Sequence, residues 1–301
     1  MIDNNAMGVV PDQRRVELNF LFRFLDSVDF YQFADKTSVP SIRKSTLARL
    51  VVPLPPLEEQ RRIAAILDKA DALRQKRRLA AQKLDSLTSS LFHEHFGKRA
   101  SSNHNRVVPL ANLAEVVSGV TKGRKLPANG VREVPYLRVA NVQRGRLDLT
   151  ELKTIPATPE EISQLRLVDG DILMTEGGDF DKLGRGGILR NPPEDCIHQN
   201  HIFRVRVDRN LLLPDFFHHY LQTATPLHYF LGCAKRTTNL ASINMTQLRA
   251  LPVQVPALEA QARFVHEAEK VEALANAYGD RLSRHESLFS SLQHRAFQGE
   301  L

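Results

Sequence analysis

The stretch Met174–Gly187, "MTEGGDFDKLGRGG", places five glycines and the charged residues Asp179, Asp181, Lys182 and Arg185 within 14 positions. Glycine lets a backbone approach a neighbour closely, and the charges supply hydrogen bonds, so the stretch suits a loop that meets a polar ligand. It is neither a P-loop nor a dinucleotide loop, because neither GxxxxGK[ST] nor GxGxxG occurs. A second cluster, "CIHQNH" at Cys196–His201, lines up donors and acceptors just ahead of an expected strand. A third run is electrostatic. Between Thr121 and Arg146 stand Lys122, Arg124, Lys125, Arg132, Arg138, Arg144 and Arg146, against the single acid Glu133. That run holds nearly all of the chain's net charge of +7 and points to a polyanionic partner.

Catalytic patterns are weak by comparison. "NPPE" at Asn191–Glu194 half-matches the [ND]PP[YF] motif of amino-methyltransferases but lacks its aromatic residue. His198, His201, His218 and His219 lack a third ligand at metal-binding spacing, and no GxSxG or Cys/His nucleophile is present. The expectation is a chain that is not an enzyme and that carries no cofactor. Cys196 and Cys233 are the only cysteines and form no disulfide framework, the N-terminus has no secretory h-region, and no run of 18 apolar residues exists. These features lead to an expected cytoplasmic location.

The elements that would hold these clusters form a mixed α/β region, Arg106–Arg236. Strands are expected at Val107–Leu110, Val134–Val139, Asp171–Thr175, Gly187–Leu189 and His201–Val207. "TPEEISQLRL" reads as a helix capped by Thr158 with Glu161 at the third position. Arg138 and Asn141 either meet the ligand or hold a strand-to-turn junction, whereas His201 and Phe203 read as core.

Sliding the chain along itself by 201 positions aligns residues 37–96 with 238–297 without a gap and matches 21 of 60 residues. "LNFLFRFLDSVDF" and "LPDFFHHYLQTATPLHYF" extend the repeat upstream as short amphipathic helices. Each copy passes through a proline-rich extended segment into a long helix. In the first, the apolar seam is Ile63, Ile66, Ala70, Leu73, Ala80, Leu84, Leu87 and Leu91, broken at Arg77. In the second it is Phe264, Ala268, Val271, Ala275, Tyr278, Leu282, Phe289, Leu292 and Ala296, broken at His285. A period of 3.5 residues predicts a coiled-coil pair, most simply antiparallel.

The repeated "PLPPLEEQRRIAAILDKADAL" resembles the central conserved region of type I restriction-modification specificity (S) subunits. "PYLRVANVQRGRLDL", "GDILMTEGGDFDKLGRGG" and "CIHQNHIFRVR" look like parts of one of that family's target-recognition domains. The resemblance covers nearly the whole chain. It implies recognition domains that each read half of a split double-stranded DNA site, and two antiparallel helices that act as a ruler. Catalysis would belong to partner modification (methyltransferase) and restriction (translocase/nuclease) subunits. The expected division is residues 1–56, the tail of a first recognition domain; 57–100, the central long helix; 101–256, a complete recognition domain; and 257–301, the C-terminal long helix. With one domain complete and one partial, a second copy or a complementary half specificity chain joins the expected partners.

On this reading the DNA-contacting residues are Lys122, Arg124, Lys125, Asp179, Lys182, Arg185, His198, Gln199 and Asn200. Arginine or lysine suits guanine or phosphate, and asparagine or glutamine suits adenine. Arg61, Arg62, Arg74 and Arg78, on the exposed helix faces, are the expected subunit contacts. The alternatives are a structural coiled-coil protein, which would not bind DNA in a salt-sensitive way, an inactive remnant without DNA-reading activity, and a stand-alone DNA-modifying enzyme, which would require a bound cofactor or metal.

Overall fold

The computed structural model describes residues 7–35, 40–97, 106–178, 183–236 and 241–301. Two long helices, Leu57–Phe92 and Leu258–Gln298, begin where the repeated proline passages end. Pro55 and Pro56 keep the chain extended ahead of the first helix, and Glu58, Glu59 and Glu259 sit in first turns, where the helix dipole favours carboxylates. The chain divides into two compact units, one of Met1–Asp85 with Ala273–Leu301 and one of Ser86–Glu272, so the boundary falls inside both long helices.

In the first unit the long helices run antiparallel. Arg62 donates to the Leu301 carbonyl at 2.8 Å, and Arg74 and Arg78 pair with Glu286 at 3.3 and 2.7 Å. Ile63, Ala64 and Leu67 pack with Phe289, Ala296 and Phe20, the last from the short helix Leu18–Ser27. Phe20 and Phe24 each meet the Phe297 ring edge to face, at 5.5 and 5.3 Å. Gln60 is buried; it accepts from the Glu17 N–H at 2.8 Å and donates to the carbonyls of Arg15 and Pro55 at 2.9 and 2.8 Å.

The expected seam holds along the second helix, whose named residues are all buried or half-buried. In the first helix it slips: Leu73 and Leu87 are 58% and 39% exposed, while Asp71 is buried. Ion pairs account for the shift. Asp71 binds Arg74 at 2.6 Å and Arg23 at 3.0 Å, and the Arg74 guanidinium lies 4.2 Å from the Phe289 ring centroid. A charged cluster therefore occupies the place the heptad pattern assigned to leucine.

The second unit has the expected mixed α/β architecture. A four-stranded antiparallel sheet runs in the order Ala114–Ser118, Ile202–Val207, Ile172–Thr175, Gly186–Ile188. A three-stranded sheet places Ile197–His198 parallel to Arg132–Leu137, which pairs antiparallel with Lys153–Ala157. Pro252–Val255 pairs antiparallel with Arg106–Pro109. Its counterpart in the first copy, residues 51–54, forms no strand, so the repeated proline-rich passage is a strand in the second copy alone. The core gathers Ile172, Met174 and Val205 of the sheet with Phe92, Phe96, Phe216 and Phe264 of the helices.

Two glycines of the Met174–Gly187 stretch serve this packing rather than a ligand. A Cβ on Gly186 would stand 2.7 Å from the Leu173 carbonyl oxygen, and one on Gly187 would stand 2.7 Å from the Arg146 carbonyl carbon. The Pro159–Leu165 helix forms with the expected capping box: the Glu161 N–H donates to Thr158 Oγ1 at 3.2 Å, and the Thr158 N–H donates to Glu161 Oε2 at 3.0 Å. Among the described residues no helix is long and apolar enough to cross a membrane, and no three His, Cys, Asp or Glu side chains gather as a metal ion requires.

Candidate nucleic-acid interface

All three clusters meet in the second unit, the glycine-rich stretch through the Glu176 N–H, which donates to the His201 carbonyl at 3.0 Å. The Val120 N–H donates to the His198 carbonyl at 2.9 Å, the Asn200 N–H donates to the Val120 carbonyl at 2.9 Å, and Ser118 Oγ donates to the Asn200 carbonyl at 2.6 Å. The approach is so close that a Cβ on Gly119 would lie 1.9 Å from the His198 carbonyl oxygen. From the other side the Gln199 N–H donates to the Leu137 carbonyl at 3.0 Å. The basic turn at Thr121–Lys125 and the polar segment at Gln199–His201 are thereby fixed against one another.

Lys122 and Lys125 are exposed on that turn. Arg124 differs from them. Its Nε and Nη2 meet the two Glu161 oxygens at 2.5 Å each, its Nη2 also reaches the Pro156 carbonyl at 3.0 Å, and its Nη1 reaches the Thr121 carbonyl at 3.1 Å. The hydrogen bond from Arg124 holds the Glu161 carboxyl below its usual range. Arg124 thus ties the turn to the capping box. This corrects its expected place among the ligand-facing cations: its guanidinium is occupied inside the fold.

His198 is a second correction. It is fully buried, and burial pushes its ring down to about 4, so it is a neutral core group with no exposed edge. Its neighbour His201, expected in the core, is instead at the surface with a side chain 57% exposed, and its Nδ1 lies 2.8 Å from Glu176 Oε2. Phe203 is core as expected. Gln199 and Asn200 are half-buried at the rim. Arg185 is half-buried, with Nη2 3.4 Å from the Val139 carbonyl. Asp179 and Lys182 lie outside the described residues. Asn141 resolves to a junction role: it accepts from the Arg138 N–H at 2.9 Å and donates to the carbonyls of Asp148 and Glu151 at 2.8 and 3.0 Å.

Beside His201 an open cavity of ≈ 390 Å³ is lined by Val139, Glu176, Gly177, Gly178 and Lys235. Glu176, His201 and Lys235 were not legible as site residues. Gly177–Gly178 reaches the cavity wall by pairing with Ala241–Ser242, a contact between segments far apart in sequence that no local pattern announces.

The profile of the type I restriction modification DNA specificity domain matches residues 4–83 and 104–277, most of the chain. The chain belongs to this type I specificity family. Curated relatives of this specificity subunit agree. The EcoKI specificity subunit of Escherichia coli K12 is 21% identical over 98% of this chain and 68% of its own length. The StySPI specificity subunit of Salmonella potsdam is 24% identical over the same shares. In fold, the HsdS subunit from Thermoanaerobacter tengcongensis superposes with a TM-score of 0.52 at 19% identity, over 96% of this chain and 72% of that one. A chain from work on complex assembly and conformational transition of the type I R-M system gives 0.63, also at 19% identity, over 96% of this chain and 73% of its own. The role of the family is DNA sequence specificity in a restriction-modification complex.

The specificity subunit's helix arginines are distributed unevenly. Arg61, Arg62 and Arg78 are exposed, although Arg62 pairs with Glu59 at 2.6 Å and Arg78 with Glu286. Arg74 is a correction. Its side chain is 19% exposed and is shared between Asp71, Glu286 and the Phe289 ring, so it braces the helix pair rather than forming an outer face.

Proposed function

We propose that the second unit reads one half of a bipartite DNA site, with Lys122 and Lys125 on phosphates and Gln199, Asn200 and Arg185 toward base edges. The clamp of Gly119 and Val120 on the His198–Asn200 backbone carries this reading, because it presents exposed cations and polar side chains on one preorganised surface. Asp179 and Lys182 belong to the same proposal by their place in sequence. The four-segment division of the chain into recognition-domain tail, long helix, complete recognition domain and long helix goes with it. The other half of the site falls to a further recognition domain, from a second copy of the chain or from a complementary half specificity chain.

On this proposal the subunit performs no chemistry, uses no cofactor and works in the cytoplasm. Methyltransferase and restriction subunits dock on the long helices, for which Arg61, Arg62 and Arg78 are the exposed candidates. The test is DNA affinity against salt concentration for the complex with the modification subunit. Lys122→Ala and Lys125→Ala should each weaken binding on all sequences and lower the salt slope by about one. Unchanged slopes in both variants would remove the basic turn from the interface.

A further inference from the structure

Among the basic residues of the candidate interface stands an acid the proposal above does not use. Glu176 ends the Ile172–Thr175 strand with both backbone polar groups held: its N–H donates to the His201 carbonyl at 3.0 Å, and its carbonyl accepts from the Ile243 N–H at 2.8 Å. Its carboxylate is 39% exposed and meets His201 Nδ1 at 2.8 Å. A carboxylate offers about four lone-pair sites, and the His201 bond uses one of them. The backbone is therefore fixed, the side chain is oriented by a neighbour, and acceptor capacity remains beside the ≈ 390 Å³ cavity.

The sign of the charge decides what this group can face. A phosphate would be repelled by a carboxylate, so Glu176 is unsuited to the DNA backbone, which Lys235 on the same cavity wall suits. A carboxylate fits a donor, and on a base edge in the major groove that donor is the exocyclic amino group, N4 of cytosine or N6 of adenine.

We propose that Glu176, oriented by His201, is a specificity-determining residue that accepts a hydrogen bond from the exocyclic amine of one base in the half-site, with Lys235 on a neighbouring phosphate. The inference rests on the DNA-reading function of this unit and names a contact within it. His201 is a positioning residue here.

The test uses the full chain complexed with its modification subunit and duplexes carrying its methylated motif. Each adenine of the half-site is replaced in turn by purine, and each cytosine by pyrimidin-2-one, which lack the amine. At least one replacement should weaken the wild-type complex about tenfold or more, and the identity of the one whose loss depends on Glu176 separates adenine from cytosine. In Glu176→Ala that one loss should vanish while the losses at other positions persist. Glu176→Gln, whose amide both donates and accepts, should extend tolerance at the same position to guanine or thymine, and it carries the test if the alanine variant has a lowered unfolding midpoint. Lys235→Ala should weaken all duplexes alike. Equal amine penalties in wild type and both Glu176 variants overturn the inference and leave the DNA-reading function standing. A wild-type complex that prefers no sequence removes both.

Discussion

Gln60 and Gln261 make the same three hydrogen bonds. Each accepts, through Oε1, from the backbone N–H of the residue that precedes a short aromatic helix, Glu17 at 2.8 Å and Leu213 at 2.8 Å. Each donates to the carbonyl two residues earlier, Arg15 at 2.9 Å and Leu211 at 3.1 Å, and to the proline carbonyl five residues upstream of itself, Pro55 and Pro256, both at 2.8 Å. The duplication seen in sequence is therefore a duplication of a joint. A buried amide fastens a short helix to the start of a long one, once in each unit.

Removing either amide leaves backbone groups buried without partners, and Gln60 and Gln261 are 1% and 0% exposed. Gln60→Ala and Gln261→Ala should each destabilise the chain by about 2 kcal/mol. Urea unfolding of the full chain reads this, and a change within about 0.5 kcal/mol in both variants contradicts the shared joint.

Lys122 and Arg124 lie two residues apart but should behave oppositely. Lys122→Ala should leave the unfolding midpoint unchanged and lower the salt dependence of DNA binding. Arg124→Ala removes a half-buried bidentate pair with Glu161 and two carbonyl contacts, and should cost about 1–2 kcal/mol of stability. Thermal unfolding and DNA titration on the same samples separate the two effects.

Acid should weaken the fold before most carboxylates titrate. Burial pushes His198, His218 and His219 down from 6.5 to about 4, about 3 and about 4, with Arg204 opposing the charge of His198, and His219 and Arg190 that of His218. Because the folded values lie below the unfolded one, the stabilisation is complete above about pH 6.5 and declines as pH falls toward 4. For His198 alone the limiting loss is about 3 kcal/mol. The unfolding midpoint should fall steadily between pH 6.5 and 4.5, and His218→Phe should flatten part of that slope. A midpoint constant over the range contradicts neutral burial of these rings.

Arg74 should matter to the helix pair rather than to outside partners. Arg74→Ala takes one of two arginines from the buried Asp71 carboxylate, leaving Arg23, and uncovers the Phe289 ring, so a loss of about 2 kcal/mol is expected. Arg61→Ala, at an exposed site, should change stability by less than about 0.5 kcal/mol. Urea unfolding of the two variants makes the comparison.

What was legible in the sequence is what short-range physics fixes. The Thr158–Glu161 capping box, the proline-led helix starts and the seam of the second long helix all depend on residues within one or two turns. The first helix shows the limit. Its heptad pattern pointed Leu73 inward, but Arg23, from a different helix, binds Asp71, and that long-range ion pair carries charge into the seam. The site was legible in part, for a related reason. The basic turn and the "CIHQNH" segment stood out by composition. Which histidine faces out was set by the parallel pairing of Ile197–His198 with Tyr136–Leu137, a contact across about 60 residues that buries His198 and leaves His201 beyond the sheet. Strand Ile202–Val207 is buried almost throughout, so it has no alternation from which the outward residue could be read.

The central claim is that this chain directs sequence-specific reading of DNA. The most direct measurement is methylation-aware sequencing of host DNA after co-expression of the chain with its modification subunit, beside a variant carrying Lys122→Ala and Lys125→Ala. The account predicts a split methylated motif with the wild-type chain and markedly fewer methylated sites, at an unchanged motif, with the variant. A palindromic motif would identify two identical chains in the complex, and an asymmetric one a complementary half chain. Absence of any methylated motif with a folded wild-type chain would contradict the account.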